Sequence, residues 1–159
     1  MFRRDTTYPE AVLVVDDDPF FLQYAGGILR SSGHYVLSAG SPGDAMEIES
    51  IYPGEIRLLL SDVMMPDMTG PDLAAALAGR RHRMKVLLMS ACDAFHRPSL
   101  QPGWRFLHKP FGPEALAETV NSVLSVEGSD VPAEFESAGA SRGNLASISS
   151  AEHSRGLHV

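Results

Sequence analysis

The sequence predicts an α/β domain in which a parallel β-sheet is covered by helices on both faces. Three observations support this prediction. Short apolar runs alternate with amphipathic stretches, the loops between them are short, and the first run, AVLVV at 11–15, is apolar throughout. Strands that are buried on both faces have this continuous apolar character, and parallel strands need helical crossovers between them. We therefore expect strands and helices to alternate along most of the chain.

The pattern predicts five strands and four regular helices. The predicted strands cover residues 11–15, 35–39, 56–61, 86–90 and 105–108. The predicted helices run from Pro19 to about Ser32, from Pro42 to about Tyr52, from Gly70-Pro71-Asp72 through Ala78, and onward from Pro113. Asp18 and Ser41 each precede a proline, which suits an N-cap followed by the first helical position.

The stretch from Ala91 to Gly103 departs from the regular alternation. Pro98 and Pro102 both lack an amide donor, so a long regular helix is not expected there. We predict an irregular or shortened helix between the fourth and fifth strands. A basic run at 80–83, Arg-Arg-His-Arg, falls between a helix and a strand, and we interpret it as a solvated connector.

The composition changes after Ser125, where Ser, Gly, Ala and acidic residues dominate through Val159. Such a segment cannot bury enough apolar surface to offset the entropy lost on ordering. We expect an N-terminal extension at 1–9, one folded domain at 10–125, and a disordered Ser/Gly/Ala-rich acidic tail at 126–159.

Length, charge and cysteine content narrow the class of protein. The chain has 159 residues, enough for one ordinary domain, and a formal net charge of −7, which argues against direct nucleic-acid binding. Cys92 is the single cysteine, so an intrachain disulfide is excluded. Since the apolar runs are far shorter than the roughly 18 residues of a membrane span, we expect a cytoplasmic protein without a membrane partner.

Charged side chains follow three of the predicted strands. Asp16 and Asp17 come after the first strand, Asp62 after the third, and Lys109 after the fifth. The carboxyl ends of parallel strands meet at one edge of the sheet, where open α/β folds place their ligand sites. Carboxylates that gather there without a metal are expected to raise at least one pKa. The set suggests a magnesium-assisted phosphoryl site.

These motifs together resemble the receiver domain of two-component response regulators. The resemblance covers roughly residues 10–125. Within it, the sequence is similar to receivers found in hybrid sensor kinases. The resemblance rests on Val14-Val15-Asp16-Asp17, on Asp62-Val63-Met64-Met65-Pro66 through Gly70, on Met89-Ser90-Ala91, and on Phe106-Leu107-His108-Lys109-Pro110-Phe111. It implies a flavodoxin-like, doubly wound five-stranded sheet in the order 2-1-3-4-5. It also implies that Asp62 is the phosphoacceptor.

The resemblance implies roles for the neighbours of Asp62. Asp17, Asp62 and the backbone carbonyl of Met64 would bind Mg²⁺ directly, and Asp16 would act through water. Lys109 would pair with a phosphoryl oxygen.

Signal transmission would use Ser90 and Phe106 as switch residues, although a strand-end hydroxyl and ordinary core packing are the alternative interpretations. By the same resemblance, Met64 and Cys92 would fill the two variable positions beside the phosphoryl group. We hypothesise that Met64 shields the acyl phosphate from water.

The expected function is that of a single-domain response regulator, which is not an enzyme in the usual sense. It would take a phosphoryl group from a histidine kinase or phosphotransfer protein, lose it by self-catalysed hydrolysis, and signal to an unknown downstream protein. A pseudo-receiver that binds partners without phosphorylation is one alternative. Another is a haloacid-dehalogenase-like phosphatase with Asp16 as nucleophile and Asp18 as acid/base, which Phe20 disfavours because that family has Thr or Val there.

Overall fold

The computed structural model describes residues 8–91, 101–126 and 135–136. Strands and helices alternate in them as the sequence predicts. The strands are β1 (Ala11–Val15), β2 (Tyr35–Ala39), β3 (Ile56–Asp62), β4 (Lys85–Ser90), β5 (Arg105–His108) and β6 (Phe135–Glu136); the helices are α1 (Pro19–Ser31), α2 (Pro42–Ile51), α3 (Gly70–Ala78) and α4 (Pro113–Ser125).

The strands form one parallel sheet in the order β2-β1-β3-β4-β5-β6. The predicted flavodoxin-like order 2-1-3-4-5 is therefore confirmed. The register aligns the carboxyl ends of the central strands: Val15 of β1 pairs with Ser61 of β3, and Asp62 pairs with Met89 of β4. Residues that follow β1 and β3 consequently emerge side by side at one edge of the sheet.

Each face of the sheet has its own apolar core. On one face Leu13, Leu59 and Leu88 pack with residues of α2 and α3, including Ala45 and Leu73. On the other face the alternate strand positions pack with α1 and α4, through Val14, Leu60, Leu87, Leu29 and Val120. Burial on both faces explains why the strands are apolar at successive positions.

Side-chain caps define where the first three helices begin. Asp18 accepts a hydrogen bond from the amide of Phe20 at 3.0 Å, and Ser41 accepts one from Asp44 at 3.1 Å, as predicted. Thr69, which the sequence pattern did not single out, caps α3 by accepting from the amide of Asp72 at 3.2 Å. These caps satisfy amides that have no partner within the helix.

The interpretation of the basic run at 80–83 as a solvated connector is wrong for Arg81. Its guanidinium donates to the Glu49 carboxylate at 3.0 Å and to the backbone carbonyls of Gly54, Glu49 and Tyr52. Arg81 thereby ties the end of α3 to the end of α2. A charged run cannot reveal such contacts, because they depend on a partner 32 residues away in sequence.

One region differs from the sequence prediction, and another lies outside the residues that the structure describes. The two-residue strand β6 falls inside the predicted tail and pairs with Phe106 and Leu107 of β5. The irregular helix predicted between β4 and β5 concerns residues 92–100, which are outside the described residues, as is Cys92. The domain boundaries remain predictions. None of the helices in the described part of the chain is both long and apolar enough to span a bilayer.

Candidate functional site

Three carboxylates meet at the carboxyl edge of the sheet. Asp16 and Asp17 follow β1, Asp62 ends β3, and one oxygen from each side chain lies within 4.8 Å of the others. Asp16 is buried, Asp17 is exposed, and Asp62 is intermediate, so the cluster opens toward solvent on one side. Hard oxygen ligands at this spacing suit Mg²⁺, which is held in proteins by one or two carboxylates together with waters and phosphate. The donor set fits a magnesium site.

Lys109 brings a positive charge to this cluster from 93 residues away in sequence. Its ammonium Nζ lies 2.7 Å from Oδ2 of Asp16 and 3.5 Å from Oδ1 of Asp62. The backbone amide of Lys109 donates to the carbonyl of Ser90 at 2.9 Å, which fastens the end of β5 to the end of β4. The Lys109–Pro110 peptide bond is cis. The predicted acids and the predicted lysine therefore form one site.

Backbone contacts fix the position of Asp62. The amide of Val63 donates to the carbonyl of Met89, and the amide of Gly70 donates to the carbonyl of Val63, both at 2.8 Å. A Cβ on Gly70 would lie 2.2 Å from the carbonyl oxygen of Asp62, so only glycine fits at this position. The start of α3 thus packs directly on the backbone that carries Asp62.

The electrostatic balance of the site is negative. In the described part of the chain, three carboxylates face one ammonium group, and the Asp62 side chain is only 14% exposed. Burial raises the pKa of Asp62, the nearby charge of Asp16 raises it further, and Lys109 opposes both effects. The sequence predicts that crowded carboxylates raise at least one pKa, and the pKa of Asp62 is raised. Burial, however, is the largest cause. A bound cation would relieve the remaining excess of negative charge.

The other residues named from the sequence occupy different surroundings. Ser90 is buried at the end of β4, the strand next to Asp62. Phe106 is buried in the core between the sheet and helices α2 and α3. Met64, two residues after Asp62, is 65% exposed. Both the switch roles and the shielding role remain predictions.

An aromatic group beneath Lys109 was missed by the sequence analysis. The ammonium of Lys109 lies 3.8 Å from the ring centroid of Phe21 on α1, and that ring packs edge-on against Phe111. The adjacent phenylalanines Phe20 and Phe21 look equivalent in sequence. Only the orientation of α1 on the sheet decides that Phe21 turns inward while Phe20 is exposed.

Comparison with known proteins agrees with this geometry. The sequence profile described as "Response regulator receiver domain" matches residues 12–121, which is well over half of the chain. The chain belongs to this receiver family.

Curated relatives of this receiver domain occur in bacteria and plants. It is 35% identical over 123 residues to the sensor kinase CckA of Brucella abortus, a match that covers 76% of this chain and 13% of CckA. It is 31% identical over 121 residues to the two-component response regulator ORR11 of Oryza sativa subsp. indica, covering 73% of this chain and 82% of ORR11. The chain thus spans a small part of CckA and most of ORR11.

Solved receiver structures share the fold. The receiver domain of the hybrid histidine kinase CckA superposes with a TM-score of 0.63 at 32% identity, covering 72% of this chain and 99% of that one. The chemotaxis response regulator CheY4 of Vibrio cholerae superposes with a TM-score of 0.63 at 25% identity, covering 73% of this chain and 99% of that one. The likeness to receivers of hybrid kinases, expected from the sequence, is confirmed.

The site of this receiver gives no support to the phosphatase alternative. Asp18, the residue that would act as acid/base, instead caps α1 with its side chain. Asp16, which would be the nucleophile, is 1% exposed and accepts hydrogen bonds from Lys109 and from the amide of Asp18. Both carboxylates are engaged in holding the local structure.

Proposed function

We propose that this receiver domain accepts a phosphoryl group on Asp62 in a magnesium-dependent reaction and signals through protein contacts. The observation that carries the proposal is the position of the Asp62 carboxylate. It ends β3 beside two other acids, and its Oδ1 lies 3.5 Å from the ammonium of Lys109. This arrangement pairs a nucleophile with a cation and an open cation-binding edge.

The proposed step is a displacement at phosphorus. A carboxylate oxygen of Asp62 attacks the phosphoryl group of a phosphohistidine, the new P–O bond forms as the P–N bond breaks, and the departing imidazole takes up a proton. Lys109 moves its charge toward the transferred phosphoryl oxygens. Asp16 holds Lys109 in reach before transfer, at 2.7 Å. Hydrolysis of the acyl phosphate later restores the carboxylate.

The same acids would hold the metal. Asp17 and Asp62 are proposed as direct ligands with the backbone carbonyl of Met64, and Asp16 as a ligand through water. A bound Mg²⁺ would supply positive charge and orientation for the phosphoryl oxygens. The exposure of Asp17 supports this proposal because the cation must enter from the solvent side.

Ser90 and Phe106 are proposed to transmit the change. Phosphorylation adds a charge of about −1.5 to −2 at pH 7, and a hydroxyl at the end of β4 is suited to donate toward it. Phe106 lies on the neighbouring strand, where its register partner is Leu88. Movement of the β4 end would therefore be felt by the packing of Phe106.

The proposed donor is a histidine kinase or a histidine phosphotransfer protein, and the proposed target is a downstream protein. The family membership supports the donor class, and the net charge of −7 supports signalling without direct nucleic-acid binding. The proposal concerns the receiver domain alone. CckA is named a sensor kinase, and that kinase activity is not proposed for this chain.

Intact-mass measurement tests the proposal. The protein is incubated with Mg²⁺ and phosphoramidate, beside an Asp62→Asn variant and a sample with chelator. We expect wild type to gain one phosphoryl group, and the variant and the chelated sample to gain none.

A wild-type protein that gains no phosphoryl group over a wide range of Mg²⁺ concentration would contradict phosphotransfer. The pseudo-receiver alternative would then predict that Asp62→Ala still binds its partner. Gain of a phosphoryl group by Asp62→Asn would instead show that the acceptor lies elsewhere.

A further inference from the structure

Among the residues that the structure describes, Asp16, Asp62 and Phe21 all lie close to the ammonium of Lys109, and Phe21 is not an acid. Asp16 lies at 2.7 Å, Asp62 at 3.5 Å, and the ring centroid of Phe21 at 3.8 Å. A cation within about 6 Å of an aromatic centroid is attracted by the negative face of the ring. Lys109 is largely buried, with 17% of its side chain exposed, so water does little to weaken this attraction.

The Phe21 ring is itself held in place from two sides. It packs edge-on against Phe111, with ring centroids 5.6 Å apart and an interplanar angle of 82°. Its centroid also lies 6.1 Å from the ring centroid of Tyr24. The hydroxyl of Tyr24 donates to the backbone carbonyl of Phe111 at 3.1 Å. Helix α1 is thus tied to the segment that directly follows Lys109, and the ring has little freedom to leave the ammonium.

A flexible lysine needs such a support. The lysine side chain has a flexible four-carbon stem with many rotamers and ends in a point charge. Arginine instead ends in a rigid planar group. Asp16 alone would draw the ammonium to itself, because it is the nearer of the two acids. The ring attracts the cation from a third direction, and its attraction does not change when Asp62 gains or loses charge.

We propose that Phe21 is a positioning residue, whose ring keeps the Lys109 ammonium between Asp16 and Asp62 so that it can reach a phosphoryl group on Asp62. This inference rests on the proposed phosphoacceptor function. It assigns to α1 a part in the chemistry besides the packing of the core.

Substitutions that separate the ring from its bulk test the inference. Phe21→Leu keeps an apolar side chain and removes the aromatic face, whereas Phe21→Tyr keeps the face. With phosphoramidate and saturating Mg²⁺, we expect Phe21→Leu to slow phosphorylation roughly fivefold and Phe21→Tyr to stay within about twofold of wild type. Phe20→Leu is the matched control, since Phe20 is the adjacent residue on α1 and is 83% exposed. It should leave the rate unchanged.

A spectroscopic measurement makes the test independent of activity. The methylene protons next to the Lys109 ammonium should be shifted upfield by the ring in wild type and in Phe21→Tyr, and should return toward ordinary lysine positions in Phe21→Leu. NMR of the metal-free protein reports this shift without any phosphoryl transfer. The shift reports whether the ring lies against the lysine, and the comparison of the Phe21→Leu and Phe21→Tyr rates reports whether that contact positions the ammonium.

The outcomes separate this inference from the proposed function. Equal slowing by Phe21→Leu and Phe21→Tyr, or unchanged rates in both, would overturn the positioning role while phosphotransfer stands. Lysine protons that are unshifted in wild type would also overturn it. A wild type that takes up no phosphoryl group but shows the ring-dependent lysine shift would overturn the proposed function and support the contact between Phe21 and Lys109.

Discussion

Asp16 and Glu49 are the two buried acids in the described part of the chain, with 1% and 5% of their surfaces exposed, and each meets a basic side chain. A buried carboxylate is unfavourable unless it is paired and hydrogen-bonded. The two acids satisfy this requirement in different ways, and the difference distinguishes a structural ion pair from the proposed reactive site.

The pair around Glu49 is closed. Arg81 donates to Oε1 at 3.0 Å and Arg80 to Oε2 at 3.2 Å, so each carboxylate oxygen has a cationic partner. The remaining donors of Arg81 reach three backbone carbonyls. Arginine suits this role because its planar fork meets several acceptors at fixed angles. Protein groups alone therefore satisfy both oxygens of the Glu49 carboxylate.

The pair around Asp16 is open. Its partner Lys109 is also 3.5 Å from Asp62, and Asp17 adds a third carboxylate without adding a cation. The described residues of this site therefore carry an excess of negative charge, which a bound metal ion can offset. Incomplete compensation of buried charge is typical of functional sites and supports the proposed role of this cluster.

The largest effect should come from breaking the closed pair. Arg81→Leu leaves Glu49 buried without its main partner. It also removes the hydrogen-bond donor of three backbone carbonyls. We expect the free energy of unfolding to fall by about 3–5 kcal/mol. Urea unfolding followed by the fluorescence of Trp104, the single and buried tryptophan, measures it.

Arg80→Leu is the matched control for this prediction. Its side chain is 57% exposed and makes one contact with Glu49, so its loss should lower stability by less than about 1 kcal/mol. Equal losses in the two variants would contradict the view that Arg81 is the central member of the cluster.

The open site should respond to metal where the closed pair does not. Mg²⁺ at about 100 times its Kd should raise the free energy of unfolding of wild type by about 2.7 kcal/mol. Asp17→Asn removes a proposed ligand and should lose most of this gain, whereas Arg80→Leu should keep it. Urea titrations with and without Mg²⁺ give the comparison, and full stabilisation of Asp17→Asn would rule out its ligand role.

Neutralising one acid at each site should have opposite effects in metal-free buffer at pH 7. Asp62→Asn relieves a buried charge and should raise the free energy of unfolding by about 0.5–2 kcal/mol. Glu49→Gln removes a charge that two arginines bind and should lower it by about 1.5–3 kcal/mol.

The pH dependence checks the cause of the Asp62 effect. Burial raises the pKa of Asp62 in the folded protein above its unfolded value of about 3.9. Protonation of Asp62 therefore stabilises the folded protein fully below the unfolded pKa, and this stabilisation is lost as the pH rises through the pKa of the folded protein. The gain from Asp62→Asn should therefore shrink as the solution is acidified. A gain that is constant from neutral to acidic pH would contradict this explanation.

The smallest effect is expected at the rim of the open site. Met64 is 65% exposed, so it can cover only part of a group on Asp62. If it shields the acyl phosphate, Met64→Asn should shorten the phosphoryl lifetime roughly twofold, which corresponds to a small change in the barrier. Decay of phosphorylated protein measured by intact mass tests this, and an equal or longer lifetime in the variant would reject shielding.

Much of this molecule follows from the sequence. The apolar runs predict β1 to β5 within one or two residues, and the prolines after Asp18 and Ser41 mark the starts of α1 and α2. Placing Asp17, Asp62 and Lys109 at strand ends was enough to predict that they share an edge. These features are local, since they depend on side-chain periodicity and on backbone preferences that each segment carries by itself.

Only the tertiary structure decided how the charges are compensated. The division of Lys109 between Asp16 and Asp62, the ring of Phe21 beneath it, and the capture of Glu49 by Arg81 join residues that are far apart in the chain. The pairing of β6 with β5 is of the same kind. Because a charge is satisfied by whatever lies within a few ångströms, its partners depend on how helices and strands pack, which the sequence pattern of a single segment does not contain.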